Sequence, residues 1–178
     1  MLIPSVNKKD HILGLPKTRS VVLVEYGSYD CPECYSVYFA IKDIQRYLGN
    51  HLVYVFRQFP SCDEQSISFR AAEAAEAAGS QGWFWEMHDL LFEHQLQLDD
   101  LHLERYAETL HLDIKKFRQE MKKRKYAPRV RDSLKSGILS GVTQGPAFFI
   151  NGNQYKGSAD LDELLCSIEN IGCFSEKN

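Results

Sequence analysis

No run of roughly 18 consecutive apolar residues occurs in this chain, and that is about the shortest stretch that reads as a membrane-spanning helix. No membrane partner is therefore expected. The first residues, Met1 to Asp10, lack the basic start and apolar stretch of a secretory leader. The expected compartment is the cytoplasm, or the periplasm for a chain whose leader has been removed. Charge of neither sign dominates. The formal net charge is −3 over 178 residues, which gives no global pull toward nucleic acid. Cysteine is sparse and odd in number, with five residues, so at least one thiol stays free or pairs with another molecule. A reducing compartment fits that count better than a secreted disulfide scaffold does. Metal-binding patterns are missing too. There is no His-Glu-x-x-His, and Cys62, Cys166 and Cys173 supply no second Cys-x-x-Cys. No metal is expected.

One Cys-x-x-Cys does occur, Cys31-Pro32-Glu33-Cys34. It follows a short β-branched apolar run, Val21 to Tyr26, that reads as a buried strand. A polar link, Gly27 to Asp30, lies between them. A helix-like segment continues from about Tyr35 to Leu48, with Val37, Ile41, Ile44 and Leu48 on one face. At such a corner Cys31 falls near the helix N-cap, where unpaired N–H groups and the helix dipole favour a thiolate. Pro32 suits the first helical position. The thiolate is the form that attacks a disulfide, so Cys31 is the candidate nucleophile. Cys34, one turn in, is the candidate resolving thiol. Half a zinc site is the rival reading, but structural zinc needs four ligands and the second pair is missing. Glu25 interrupts the strand. Either it ends the strand facing solvent, or it is a buried acid of raised pKa that exchanges a proton with Cys34.

The rest of the chain alternates recognisably. Gly49 and Asn50 end the helix in the manner of a left-handed cap. His51 to Phe59 reads as a second strand, and strand–helix–strand implies a right-handed unit with parallel pairing. From Ser61 to about Ser136 the pattern is helical. An alanine-rich segment runs from Phe69 to Ala78 and Gly79 stops it. Trp83, Phe84, Met87, Leu90 and Leu91 form the next apolar face, Asp100 and Asp113 cap two further helices, and Tyr126, Val130, Leu134 and Ile138 mark a last one. Ala147 to Ile150, the turn Asn151-Gly152 and Gln154 to Lys156 read as a hairpin. Asp160 caps a final helix from Leu161 to Ile168. Residues 1 to 20, with Pro4 and Pro16, read as an irregular arm or short edge strand.

That order resembles the DsbA-like branch of the thioredoxin superfamily from about Val21 to Leu165. Three stretches carry the resemblance: Val24 to Cys34; Ala71 to Ala75 with Gln81 to Phe92; and Ser140 to Gly152. It implies an α/β thioredoxin fold, βαβ then ββα, formed by residues 15–62 and 137–172. An all-helical domain at 63–136 is inserted and caps the active site. The resemblance implies a protein disulfide oxidoreductase in which Cys31 attacks, Cys34 is the buried partner, Glu25 is the buried acid and Pro146 is a cis-proline. Pro32, Glu33, Gly145 and Pro146 would meet the substrate, with the Gly145 backbone pairing with an extended segment. No bound cofactor is implied. Electrons pass by exchange with glutathione or another dithiol, and the partners are disulfide-containing proteins or peptides.

Two positions depart from the family pattern. Threonine or valine usually precedes the cis-proline, and here Gly145 does, so a more open groove is expected. The residue before the second cysteine is Glu33, where the best-known oxidant of the family has histidine. A carboxylate repels the thiolate that a histidine stabilises, and Asp30 adds a second negative charge. A higher Cys31 pKa and a more reducing couple follow, roughly −200 to −270 mV rather than about −120 mV. A glutathione-dependent isomerase or transferase, whose relatives carry a lone serine, and a non-catalytic chaperone or binding module are the rival functions. The cations crowded between Lys115 and Lys135 read as a solvated helix face rather than a nucleic-acid patch. His88, His94, His102 and His111 read as surface or packing residues, and two of Trp83, Phe84 and Trp85 as core. Cys62 and Cys166 read as small buried thiols, and Cys173 as a tail thiol open to oxidation.

Overall fold

The computed structural model describes residues 1–15, 17 and 20–172; Pro16, Cys173 and the tail beyond it lie outside the described residues. Among those described, five strands form one sheet: β1 (His11–Leu13), β2 (Val21–Gly27), β3 (Leu52–Gln58), β4 (Ala147–Ile150) and β5 (Asn153–Gln154). Their spatial order is β1-β3-β2-β4-β5. β2 and β3 pair in parallel, with Glu25 opposite Phe56, and the other three pairs are antiparallel. The central strands therefore have neighbours on both edges and cover on both faces. This is why Val21 to Tyr26 reads as a continuous apolar run rather than an alternating one.

The pleat divides those strands between two cores. Val21, Leu23, Tyr54, Phe56, Phe148 and Ile150 face the larger one. Val24, Tyr26, Val55 and Phe149 face a smaller one closed by Leu2 and Val142. Glu25 shares the side of Leu23, because side chains alternate along a strand. On that side lie α1 (Pro32–Leu48), with Val37, Ile41 and Ile44 inward, and α7 (Leu161–Gly172), with Leu164 and Ile168 inward.

Five helices stand between β3 and β4: α2 (Ile67–Gly79), α3 (Phe84–Glu93), α4 (Asp100–Thr109), α5 (Ile114–Lys122) and α6 (Ala127–Leu139). The larger core runs from the sheet through Ala71, Ala74, Met87 and Leu91 to Leu103 and Phe117 without a break. Alanines fill α2, so its neighbours approach closely and two of its glutamates become buried. Glu73 is met by Arg124 at 2.6 Å and by Arg70, and Glu76 by His11 at 2.9 Å and by Arg129. The basic stretch is thus not a bare solvated face. Several of its cations neutralise buried or half-buried carboxylates, Lys125 on Glu120 among them, as interior charges require.

Local details differ from the sequence reading. Asp99, not Asp100, caps α4, because its Oδ1 reaches the N–H groups of Leu101 and His102. Gly79 is the last residue of α2, and the positive φ of the turn falls on Gly82. Ile138 is exposed beside Leu139, since Val130 and Leu134 already complete the inward stripe of α6. Cys62 and Cys166 are exposed, not buried. α7 turns on Leu164 and Ile168, and a residue two positions from each points the other way. Phe84 is buried and Trp85 half-buried, while Trp83 faces solvent. His88 is buried among Tyr29, Phe56 and Phe92, and burial holds its imidazole well below the usual range. Asn151 and Gly152 both have positive φ, the geometry of the tight hairpin turn expected there.

Candidate active site

β2 ends at Gly27, where a side chain would force its neighbours to shift. A Cβ would lie 2.8 Å from the Phe56 ring and 2.9 Å from Glu25 Oε1. The chain then turns through Ser28 to Asp30, with Ser28 Oγ donating to Asp30 at 2.6 Å, and enters α1. Cys31 is the N-cap in extended conformation, Pro32 takes the first turn, and the Cys34 N–H donates to Cys31 Sγ at 3.2 Å. A sulfur thus occupies the place of the usual capping oxygen. Cys31 is half-buried and Cys34 fully buried.

The two thiols diverge for physical reasons. A hydrogen bond from the Cys34 thiol holds the Cys31 thiol below its ordinary value, and the Cys34 amide helps. Partial burial and the Glu33 carboxylate, whose Oε2 is 3.5 Å from the sulfur, act against this. The expected repulsion by Glu33 is therefore present, but it does not overturn the net lowering. Asp30 is engaged by Ser28. Cys34 is pushed far above the thiol range by its hydrogen bond to Cys31, by burial and by the charge of Glu25.

Glu25 does not reach solvent; it is 1% exposed. Tyr54 donates its hydroxyl proton to Oε2 at 2.6 Å, while Oε1 has no hydrogen-bond partner among the described residues. Burial raises the carboxyl pKa to about 7, against the pull of Tyr54 and with a small push from Cys31. The acid is poised to hold or release a proton near neutrality. The sequence reading missed Tyr54. Strand parity offers the signal: with Glu25 opposite Phe56 in a parallel pair, Tyr54 shares their face.

The Gly145–Pro146 peptide is cis, and the Gly145 carbonyl stands 3.6 Å from Cys31 Sγ. Gly145 does not open a groove, contrary to expectation. Its missing side chain would point inward, 3.1 Å from the Tyr26 carbonyl and 3.3 Å from Cys34 Sγ. The glycine lets this loop close tightly onto β2 and the buried thiol. Pro32 and Glu33 lie exposed beside Cys31. Among the described residues, no three of His, Cys, Asp or Glu converge as a metal-ligand set.

A family model described as thioredoxin matches residues 6–170. The Na(+)/H(+) antiporter NhaA 1 of Salinispora arenicola is 39% identical over 168 residues, which are 94% of this chain and 26% of the antiporter. The chain thus spans about a quarter of the length of the curated relatives it matches. No helix of the described residues is long and apolar enough to cross a membrane. Among solved structures, oxidised BdbD from Bacillus subtilis has a TM-score of 0.80 at 23% identity, covering 93% of this chain and 94% of its own. The thiol-disulfide exchange protein α-DsbA2 from Wolbachia pipientis has a TM-score of 0.76 at 20% identity, with coverages of 93% and 88%. These likenesses carry the fold, and the α/β thioredoxin architecture read from the sequence is the one found.

Proposed function

Because the chain belongs to the thioredoxin family, we propose that it is a protein disulfide oxidoreductase whose Cys31–Cys34 pair cycles between dithiol and disulfide. One observation carries this reading: an accessible, acid-shifted thiol caps a helix directly over a buried thiol and a buried acid. The Cys31 thiolate attacks one sulfur of a substrate disulfide, forming a mixed disulfide and releasing one substrate thiolate, which takes a proton from solvent. Cys34 gives its proton to Glu25 and attacks Cys31 Sγ. The mixed disulfide breaks, the second substrate thiolate leaves, and the Cys31–Cys34 disulfide remains. Two electrons have passed to the substrate. Two glutathione thiols, or one dithiol, reduce the Cys31–Cys34 disulfide, leave as a disulfide themselves and reset the pair.

Gly145 and Pro146 border the nucleophile, and an extended segment of a protein or peptide substrate pairs alongside them. Pro32 and Glu33 form the exposed rim. Glu33 opposes the Cys31 thiolate, so the reduced form gains less stabilisation than in a strong oxidant. On this reading the couple lies at roughly −200 to −270 mV. A couple of that kind suits the cytoplasm; a strongly oxidising one suits the periplasm.

The protein should accelerate reduction of insulin disulfides by dithiothreitol, and Cys31→Ser should return the rate to background. Undiminished activity in a Cys31/Cys34 double serine variant would sink the reading in favour of a binding or chaperone module.

A further inference from the structure

Gln95 follows α3 and the cap residue His94, and so belongs to the helical block. Its side chain crosses to the dithiol loop. The amide nitrogen donates to the Tyr29 carbonyl at 2.9 Å and to the Cys31 carbonyl at 2.8 Å. A carboxamide nitrogen carries two hydrogens, and both are used here. The amide orientation follows from chemistry, because its oxygen has nothing to accept from two carbonyls. The Cys31 carbonyl also accepts the Tyr35 N–H at 3.0 Å, the first bond of α1. Within the loop itself, the Cys31 N–H reaches the Ser28 carbonyl at 3.3 Å. The clamp from Gln95 is therefore shorter than the loop's own backbone closure.

Cys31 is held at φ −84° and ψ 118°, outside the helical region, and there its sulfur faces the Cys34 N–H. We infer that Gln95 is a positioning residue for the nucleophile: by holding both carbonyls that flank Asp30 and Cys31, it keeps the Cys31 sulfur over the N-terminus of α1. The helical block thereby sets the reactivity of a thiol that lies on the other part of the fold. The titratable groups facing that thiol are Cys34 and Glu33 of α1 and Glu25 of β2. The segment leading into β4 adds the Gly145 carbonyl, and the helical block adds the neutral amide of Gln95. Loss of the clamp lets the loop relax, lengthens the N–H···S contact and leaves the thiolate less stabilised. The use made of that reactivity rests on the proposed oxidoreductase reading, but the clamp itself can be tested without any substrate protein.

The test is the pH profile of Cys31 alkylation by iodoacetamide in the reduced protein, with Cys62, Cys166 and Cys173 replaced by serine. Gln95→Leu removes both donors at similar size. Its titration midpoint is expected to rise by about half a pH unit or more, which is about threefold slower alkylation below the midpoint. The plateau rate at high pH should be unchanged. Gln95→Glu should move the midpoint further, since a carboxylate faces two carbonyls. Urea unfolding midpoints of each variant show whether the fold is kept, and Gln95→Met serves if the leucine variant does not fold. A folded leucine or methionine variant with the wild-type profile overturns the inference. A wild-type profile of an ordinary unshifted thiol would count against the oxidoreductase reading, whereas a normal wild type with an unmoved variant counts only against Gln95.

Discussion

A Cys34→Ser variant is expected to accumulate as a mixed disulfide between Cys31 and its substrate. Cys31 Sγ remains at the N-cap and half-exposed, so attack on the substrate is retained. Release is what fails. In the proposed cycle of the wild type the resolving sulfur, one turn away, meets the mixed disulfide intramolecularly. Even an effective concentration of about 1 M, far below the best intramolecular cases, exceeds a millimolar external thiol by about a thousandfold. Turnover should fall by about that factor, while a covalent adduct appears on non-reducing gels and in intact mass. The serine hydroxyl fits the buried site, where Gly145 already leaves little room. Retained turnover with no adduct would remove Cys34 from the cycle.

The second large effect concerns Glu25 and the pH dependence of stability. Its folded pKa is about 7 against an ordinary 4.5, so the folded chain holds this proton more tightly than the unfolded chain does. The contribution is fully present below the unfolded pKa, declines as pH rises from about 4.5 to about 7, and is gone above that. The gap corresponds to about 3 kcal/mol. In the oxidised protein neither active-site thiol titrates, but buried His88, whose pKa is lowered, adds a slope of opposite sign over the lower part of the range. The acid is therefore isolated by the difference in urea unfolding between wild type and Glu25→Gln across pH 4.5 to 8. Relative to that variant, the wild type should lose stability along that range. Glu25→Gln should remove that loss and be the more stable protein at pH 8, while slowing the resolving step at neutral pH by roughly a hundredfold or more. An identical slope in the glutamine variant would mean that Glu25 is not the titrating group.

Much of this site can be read along the chain because its parts are consecutive. The strand from Val21, the Gly27 turn, the Cys31 cap and the apolar face of α1 lie within 28 residues of one another in sequence order, and local propensity and capping rules act over that range. Glu25 stood out as a charge in an apolar run, and alternation placed it on the side of the larger core. What the sequence hid depends on packing between distant elements. Tyr54 reaches Glu25 only once β2 and β3 are in register. Gln95 contacts the loop across separations of 64 and 66 residues. The role of Gly145 was misread because its Cβ direction, toward Cys34 and the Tyr26 carbonyl, is set by how the β4 approach docks on β2. Cys62 and Cys166 were assigned to the interior by residue type, but the rotation of α7 and the course of the loop after β3 decide their exposure. The cations from Lys115 to Lys135 were read by composition, and their partners Glu73 and Glu76 sit on a helix far upstream.

The proposed function makes Cys31 and Cys34 one reversible two-electron couple. It is tested most directly by equilibrating the protein, with Cys62, Cys166 and Cys173 replaced, in glutathione redox buffers and trapping free thiols. Both thiols should vanish together in a single transition, with a midpoint of roughly −200 to −270 mV. Two thiols that stay free or become separately glutathionylated across all buffers would contradict the couple itself. A single transition near about −120 mV would keep the couple and contradict the part assigned to Glu33.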